Sequence, residues 1–152
     1  MAENPPLVAR REQLEEFVRY RRENLRGDEK GEAQVFLDRL FKALGHDGVF
    51  EAGATLEQRV TGRDRSGTAF ADLVWKPRVL IEMKKGGEDL TRHYRQAFEY
   101  WIDLVPDRPH YVVLCNFDEF WASAVPALPR RARCFPWCAA ALSLTSGSTT
   151  PE

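Results

Sequence analysis

A chain of 152 residues with 43% hydrophobic content has the size of one domain around one core, since domains commonly run about 100 to 150 residues. Lys plus Arg total 22 against 23 for Asp plus Glu, so the strongly basic balance of an autonomous high-affinity DNA binder is missing, and charge neither proves nor excludes nucleic acid. Three cysteines, Cys115, Cys134 and Cys138, fit no disulfide framework, and with no secretory signal and no apolar stretch near the roughly 18 residues of a membrane span, a cytoplasmic protein away from membranes is expected.

From Leu7 to Leu25 the apolar residues Leu7, Val8, Leu14, Phe17, Val18 and Leu25 recur at helical spacing, which predicts an amphipathic helix whose Arg- and Glu-rich side faces solvent. A second helix is expected from Asp28 to Leu44, because Ala33, Phe36, Leu37, Leu40, Phe41 and Leu44 form one stripe and Gly45 can end it. Glu32 lies in its first turn, where the helix dipole favours an acid, and borders the apolar stripe, so that it could also point into a site.

Three strand-like segments follow, Gly48 to Val60, Ala69 to Trp75 and Val79 to Lys84, with a turn at Gly62 to Gly67 between the first two. Asp89 can cap a third helix whose Leu90, Tyr94, Ala97, Phe98, Trp101 and Val105 keep the 3.6-residue period up to Pro106. The segment HYVVLCNFDEFWA then reads as one more strand. Beyond Trp121 no period is sustained. The chain thus divides into an amino-terminal helix (1–27), a core (28–122) and an irregular tail (123–152).

The stretch FADLVWKPRVLIEMKK carries the chemistry. Strand alternation puts Glu82 and Lys84 on one side, with Val79, Ile81 and Met83 on the other. If Lys76, Pro77 and Arg78 form a three-residue hairpin loop, Trp75 pairs with Val79 and the register carries Asp72 opposite Glu82, where Cβ atoms lie about 4.5 to 5.5 Å apart. Two carboxylates so placed repel, and one must hold a proton unless a cation intervenes. Hard oxygen donors suit magnesium or manganese. A lysine on the same side can orient a water or neutralise a phosphate, so carboxylate pair plus lysine forms a plausible phosphodiesterase centre. His46, His93 and His110 share no metal-ligand spacing, and Cys134 and Cys138 lack a second ligand pair, which argues against zinc.

The order helix, three antiparallel strands, crossing helix and further strand resembles the PD-(D/E)XK nuclease core. That resemblance implies an α/β (α+β) fold with a central mixed sheet flanked by helices, here with an extra amino-terminal helix. It places Asp72, Glu82 and Lys84 at the catalytic positions and Glu32 at the helix-borne acidic position. The Met83 carbonyl would assist Asp72 and Glu82 in holding the ion, Mg2+ or Mn2+, and Glu32 would serve a second ion or its shell. Gln96 and Tyr100 look like the Gln-x-x-x-Tyr element of RecB-like members, which would steady the site or the DNA backbone; at four-residue spacing they share a helix face.

More closely, GEAQVFLDRLFKALGH together with ADLVWKPRVLIEMKKGGEDLTRHYRQAFEYW is similar to the amino-terminal region of type IIL restriction-modification enzymes, the MmeI-like group, over about Glu29 to Trp121. The similarity implies an endonuclease acting on double-stranded DNA, pairing transiently on it, and a chain that is a fragment without the methyltransferase and target-recognition regions. An idle nuclease-fold remnant that binds DNA or another partner shares every one of these motifs.

Overall fold

The computed structural model describes residues 7–61, 67–124 and 134–135. Helices α1 (Leu7–Asn24) and α2 (Glu29–Ala43) form where the apolar spacing predicts them. Asp28 caps α2 by accepting the Lys30 N–H at 3.1 Å, which satisfies one of the orphan donors of the first turn. Ala33, Phe36, Leu37, Leu40 and Phe41 are buried along the expected stripe. Gly45, at φ +93°, turns the chain away.

Strand β1 spans Thr55–Val60, not Gly48 to Val60. Residues 49–53 are turns, held by N–H groups of Ala52, Gly53 and Ala54 on the carbonyls of Gly48, Phe50 and Val49. The Asp38 carboxylate takes the Val49 N–H at 3.1 Å, and Val49 is fully buried without being in a strand. Apolar character there reports burial, and a local hydrogen-bond network overrides the strand pattern.

Strands β2 (Ala69–Trp75) and β3 (Val79–Met83) form the predicted hairpin with the predicted register, Trp75 on Val79, Val74 on Leu80 and Leu73 on Ile81. The third helix opens as a 3-10 turn (Leu90–His93), capped as expected by Asp89, and continues as α3 (Tyr94–Asp103). It carries the chain across to β4 (Tyr111–Cys115), which pairs parallel to β3. HYVVLCNFDEFWA is not one strand. It turns at Asn116, whose side-chain oxygen accepts the N–H groups of Asp118 and Glu119, and returns as β5 (Phe120–Ala124), antiparallel to β4.

The two-residue strand β6 (Cys134–Phe135) pairs with Phe120 and Trp121. The stretch expected to be irregular from residue 123 thus begins with the end of β5 and contains β6. The rest of that tail and most of the predicted 62–67 turn lie outside the described residues. The strands run in the order β1-β2-β3-β4-β5-β6, and among the described residues β3–β4 is the one parallel pairing. The expected α+β arrangement with a mixed sheet is therefore present.

Helices cover both sides of that sheet. On one side Phe17 of α1 and Phe36, Leu37 and Phe41 of α2 meet Leu73, Ile81, Met83, Cys115 and Phe117. On the other, Ala97, Tyr100 and Trp101 of α3 meet Ala71, Val74, Leu80, Val112 and Leu114. Ile81 and Met83 thus pack beneath the helices, as their alternation implies. No helix among the described residues is long and apolar enough to cross a membrane.

Candidate active site

The β2–β3 ladder stops at Leu73–Ile81, and the next register position brings Asp72 and Glu82 together. Their carboxylates replace the missing backbone bonds. The Asp72 N–H donates to Glu82 Oε1 at 3.3 Å, and the Met83 N–H donates to Asp72 Oδ2 at 2.7 Å. The adjoining strand yields at the same level. Glu57 stands between the pairs Leu56–Leu73 and Gln58–Ala71 and adopts a left-handed φ of +49°, a backbone state that costs a residue with a side chain about 1 to 3 kcal/mol.

Both strands change faces here. Leu56 and Leu73 belong to the α1–α2 side, while Val60 and Ala71 belong to the α3 side. Strict alternation would keep Asp72 on the face opposite Leu73. Instead Asp72 joins Glu29, Lys30, Ala33, Gln34 and Leu37 of α2 and Glu57 of β1 around a cleft of about 260 Å³. The kink is what turns the carboxylate toward the helix.

Glu82 is 3% exposed and Lys84 7%. Burial first, then the nearby Asp72 charge, pushes the Glu82 carboxyl up to about 8. Burial also raises Asp72, against the favourable Met83 N–H and the Lys84 charge. Removal from water disfavours the ionised form, and a like charge at close range adds to that. The proton-sharing tension expected from the register is therefore present. The Lys84 ammonium lies 3.7 Å from Glu82 and 3.6 Å from Glu29. One lysine among Asp72, Glu82 and Glu29 leaves the centre with excess negative charge.

Glu32 does not join this group. Its carboxylate accepts the N–H groups of Arg26, Gly27 and Asp28 at 2.8 to 3.1 Å, and those bonds, that of Arg26 foremost, hold it below the ordinary carboxylate range. The helix-borne acid that faces Lys84 and shares the cleft with Asp72 is Glu29, three residues earlier. Gln96 and Tyr100 share a face of α3 as predicted, with the Gln96 amide donating to the Tyr100 hydroxyl at 3.1 Å. Of Met83, it is the amide that meets Asp72.

Among the described residues no three His, Cys, Asp or Glu side chains form a metal-ligand group. An ion held by Asp72 and Glu82 would therefore complete its shell with the Met83 carbonyl, water and substrate oxygens. Magnesium tolerates such a shell, because it commonly binds through one or two carboxylates and keeps several waters. The donor set fits it, and a divalent cation would relieve the repulsion that raises Glu82.

Glu29 and Glu57 escape the sequence pattern for different reasons. Glu29 directly follows the Asp28 cap, and cap geometry decides which first-turn acid is consumed by backbone N–H groups. Glu57 carries no signal of its left-handed backbone, since neither glycine nor asparagine stands there.

A family model described as MmeI, N-terminal domain, matches residues 9–133. It takes in most of α1 and strands β1 to β5 and extends past Trp121, where the similarity read from the sequence ends. No curated protein and no solved structure matches the chain.

Proposed function

Because this chain belongs to the family of MmeI N-terminal domains, we propose that it is the magnesium- or manganese-dependent endonuclease module of a type II restriction-modification protein, built on a PD-(D/E)XK core and acting on double-stranded DNA. The observation that carries this reading is the convergence of half-buried Asp72 with buried Glu82 and Lys84 at the open end of one hairpin. The order of α2, the β1–β3 strands, α3 and parallel β4 supports the fold assignment.

Asp72 and Glu82, with the Met83 carbonyl, would hold the ion, which when bound supplies Lewis acidity at the phosphoryl oxygen and a more acidic water. Glu82 gives up its proton on taking up this role. Lys84, held between Glu82 and Glu29, orients the attacking water or neutralises charge on the phosphate as the P–O bond to the leaving alkoxide breaks. Glu29 takes over the helix-borne acidic position assigned from sequence to Glu32. Lys30 and Gln34, on the cleft rim, and Gln96 with Tyr100 support the DNA backbone.

A near-neutral domain without a base-reading element binds through phosphates, so cleavage shows little sequence preference and weakens steeply with salt. Double-strand breaks then require two copies to pair transiently on DNA. The deciding experiment is plasmid nicking with Mg2+ or Mn2+, with Lys84→Ala as control. Metal-dependent relaxation of supercoiled plasmid by the parent and none by the variant is the expected result. DNA binding without relaxation in any metal would establish the idle-remnant reading instead.

A further inference from the structure

We infer that Glu32 is a positioning residue for Lys84, acting through a backbone clasp between Gly27 and Gly86; as a statement about catalysis, this rests on the endonuclease reading above. The observation is a chain of contacts that begins at a carboxylate with no part in the Asp72–Glu82 pair. Glu32 draws the N–H groups of Arg26, Gly27 and Asp28 onto one side chain. With those three amides turned inward, the Gly27 carbonyl accepts the Gly86 N–H at 2.9 Å. Gly86 follows Lys84 by two residues.

The two backbones touch closely enough that a side chain on Gly27 would clash and one on Gly86 would be crowded. A Cβ on Gly27 would sit 2.9 Å from Gly86 Cα, and one on Gly86 would sit 3.2 Å from Gly27 Cα. Gly27 also has a φ of +87°, so a side chain there is strained as well as crowded.

The segment after β3 is fixed at two further points. The Lys84 N–H donates to the Cys115 carbonyl at 2.7 Å, and the Asn116 amide donates to the Glu88 carbonyl at 2.9 Å. Both of these tie the segment to β4 and its turn. Among the described residues the Gly27–Gly86 clasp is the backbone hydrogen bond that ties it to the α1–α2 corner, and Asp28, the last residue of that corner, adjoins Glu29. One corner therefore sets both ends of the 3.6 Å Lys84–Glu29 ion pair. Orientation at that level matters chemically, because small misplacement of a group that orients water or phosphate lowers turnover without weakening binding.

The test uses the full chain and four variants. Glu32→Ala releases the corner, while Glu32→Gln keeps an acceptor oxygen. Gly86→Ala crowds the clasp at a residue whose own backbone accepts a side chain, and the double variant Glu32→Ala/Gly86→Ala combines the two lesions. In plasmid nicking, Glu32→Ala and Gly86→Ala are expected to lower kcat about ten- to a hundredfold, the scale for supporting partners of a site, with KM for DNA and the Mn2+-induced rise in Tm unchanged. Glu32→Gln recovers most of the loss, and the double variant is no worse than the poorer single one, as for two lesions of one linkage.

Parental kcat in Glu32→Ala overturns the inference, and so does loss of the Mn2+-induced stabilisation in that variant, which would make Glu32 a ligand. Amide exchange is read in the same proteins without metal or DNA. Faster exchange at Gly86 and Lys84 in Glu32→Ala, with the Leu80 and Val112 amides unchanged, supports the clasp, and unchanged exchange at Gly86 overturns it. If the parent cuts no DNA, the endonuclease reading fails while this second readout still decides whether Glu32 holds the Lys84 segment.

Discussion

At its turn end the β2–β3 hairpin pairs Trp75 with Val79 and Val74 with Leu80, buries Val74 and Leu80 against α3 and anchors the Trp75 ring N–H on the Ala52 carbonyl at 2.9 Å. At its open end, three residues away, the same two strands abandon their ladder and bring half-buried Asp72 against buried Glu82. The turn end follows the rules that stabilise a sheet. The open end gives up ladder bonds for a carboxylate pair in which burial and the Asp72 charge hold the Glu82 carboxyl up at about 8, with a proton that a bound cation would displace.

The contrast can be broken from either side. Lys84→Ala should cause the largest change, a loss of about a thousandfold in the nicking rate, worth roughly 4 kcal/mol of transition-state stabilisation. Its Tm gain with Mg2+ should stay close to that of the parent, because the carboxylates remain. At the turn end, Leu80→Ala should cost about 3 kcal/mol in denaturant unfolding by leaving a cavity at a fully buried site. A variant there that kept its stability but lost activity would contradict the division of labour.

Next in size is pH. Glu82 carries its proton to about 8 in the folded chain against an ordinary value of 4.5. A raised folded value means that the contribution is complete below about 4.5 and is lost as pH climbs through about 8. In chelator, stability should therefore fall across that window, on the order of 2 kcal/mol after relaxation of the buried pair. Glu82→Gln should flatten the decline, and an equally steep fall in that variant would assign it to other groups. Uptake of Mg2+ displaces the same proton, so apparent affinity should rise with pH and level off near 8.

Smaller still is the thermal response. Magnesium at ten times its dissociation constant adds about 1.4 kcal/mol by mass action, and Asp72→Asn should gain far less while being at least as stable as the parent in chelator. The smallest effect is expected from removing residues 127–152, no more than about 1 kcal/mol, the scale of one or two exposed hydrogen bonds. Loss of cooperative unfolding on that truncation would show that the tail completes the core beside β6.

The parts legible in the sequence are those governed by period and register. The α2 stripe from Ala33 to Phe41, the Lys76–Arg78 loop and the register from Trp75–Val79 to Leu73–Ile81 follow from spacing alone, and they hold; Asp72 and Glu82 meet at the next position through their carboxylates, not as a ladder pair. What escapes is geometry paid for by burial rather than marked by residue type. The β4–β5 turn contains no glycine; Phe117 takes φ +74° there, compensated by a ring buried against Phe36 with centroids 5.0 Å apart. Glu29 and Glu32 likewise both sit in the first turn of α2, and only the three amides gathered by Glu32 separate a capping acid from a site acid.

The parallel junction between β3 and β4 bears on how the site assembles in time. The β2–β3 pair closes across a three-residue loop, whereas β3 meets β4 only after the chain has passed through the whole of α3. Short loops close at lower entropic cost and on shorter timescales than such crossovers. On that ground the hairpin should bring Asp72 and Glu82 together before the Lys84 N–H reaches the Cys115 carbonyl of β4, an order that pulse-labelled amide exchange at Met83 and Lys84 would check.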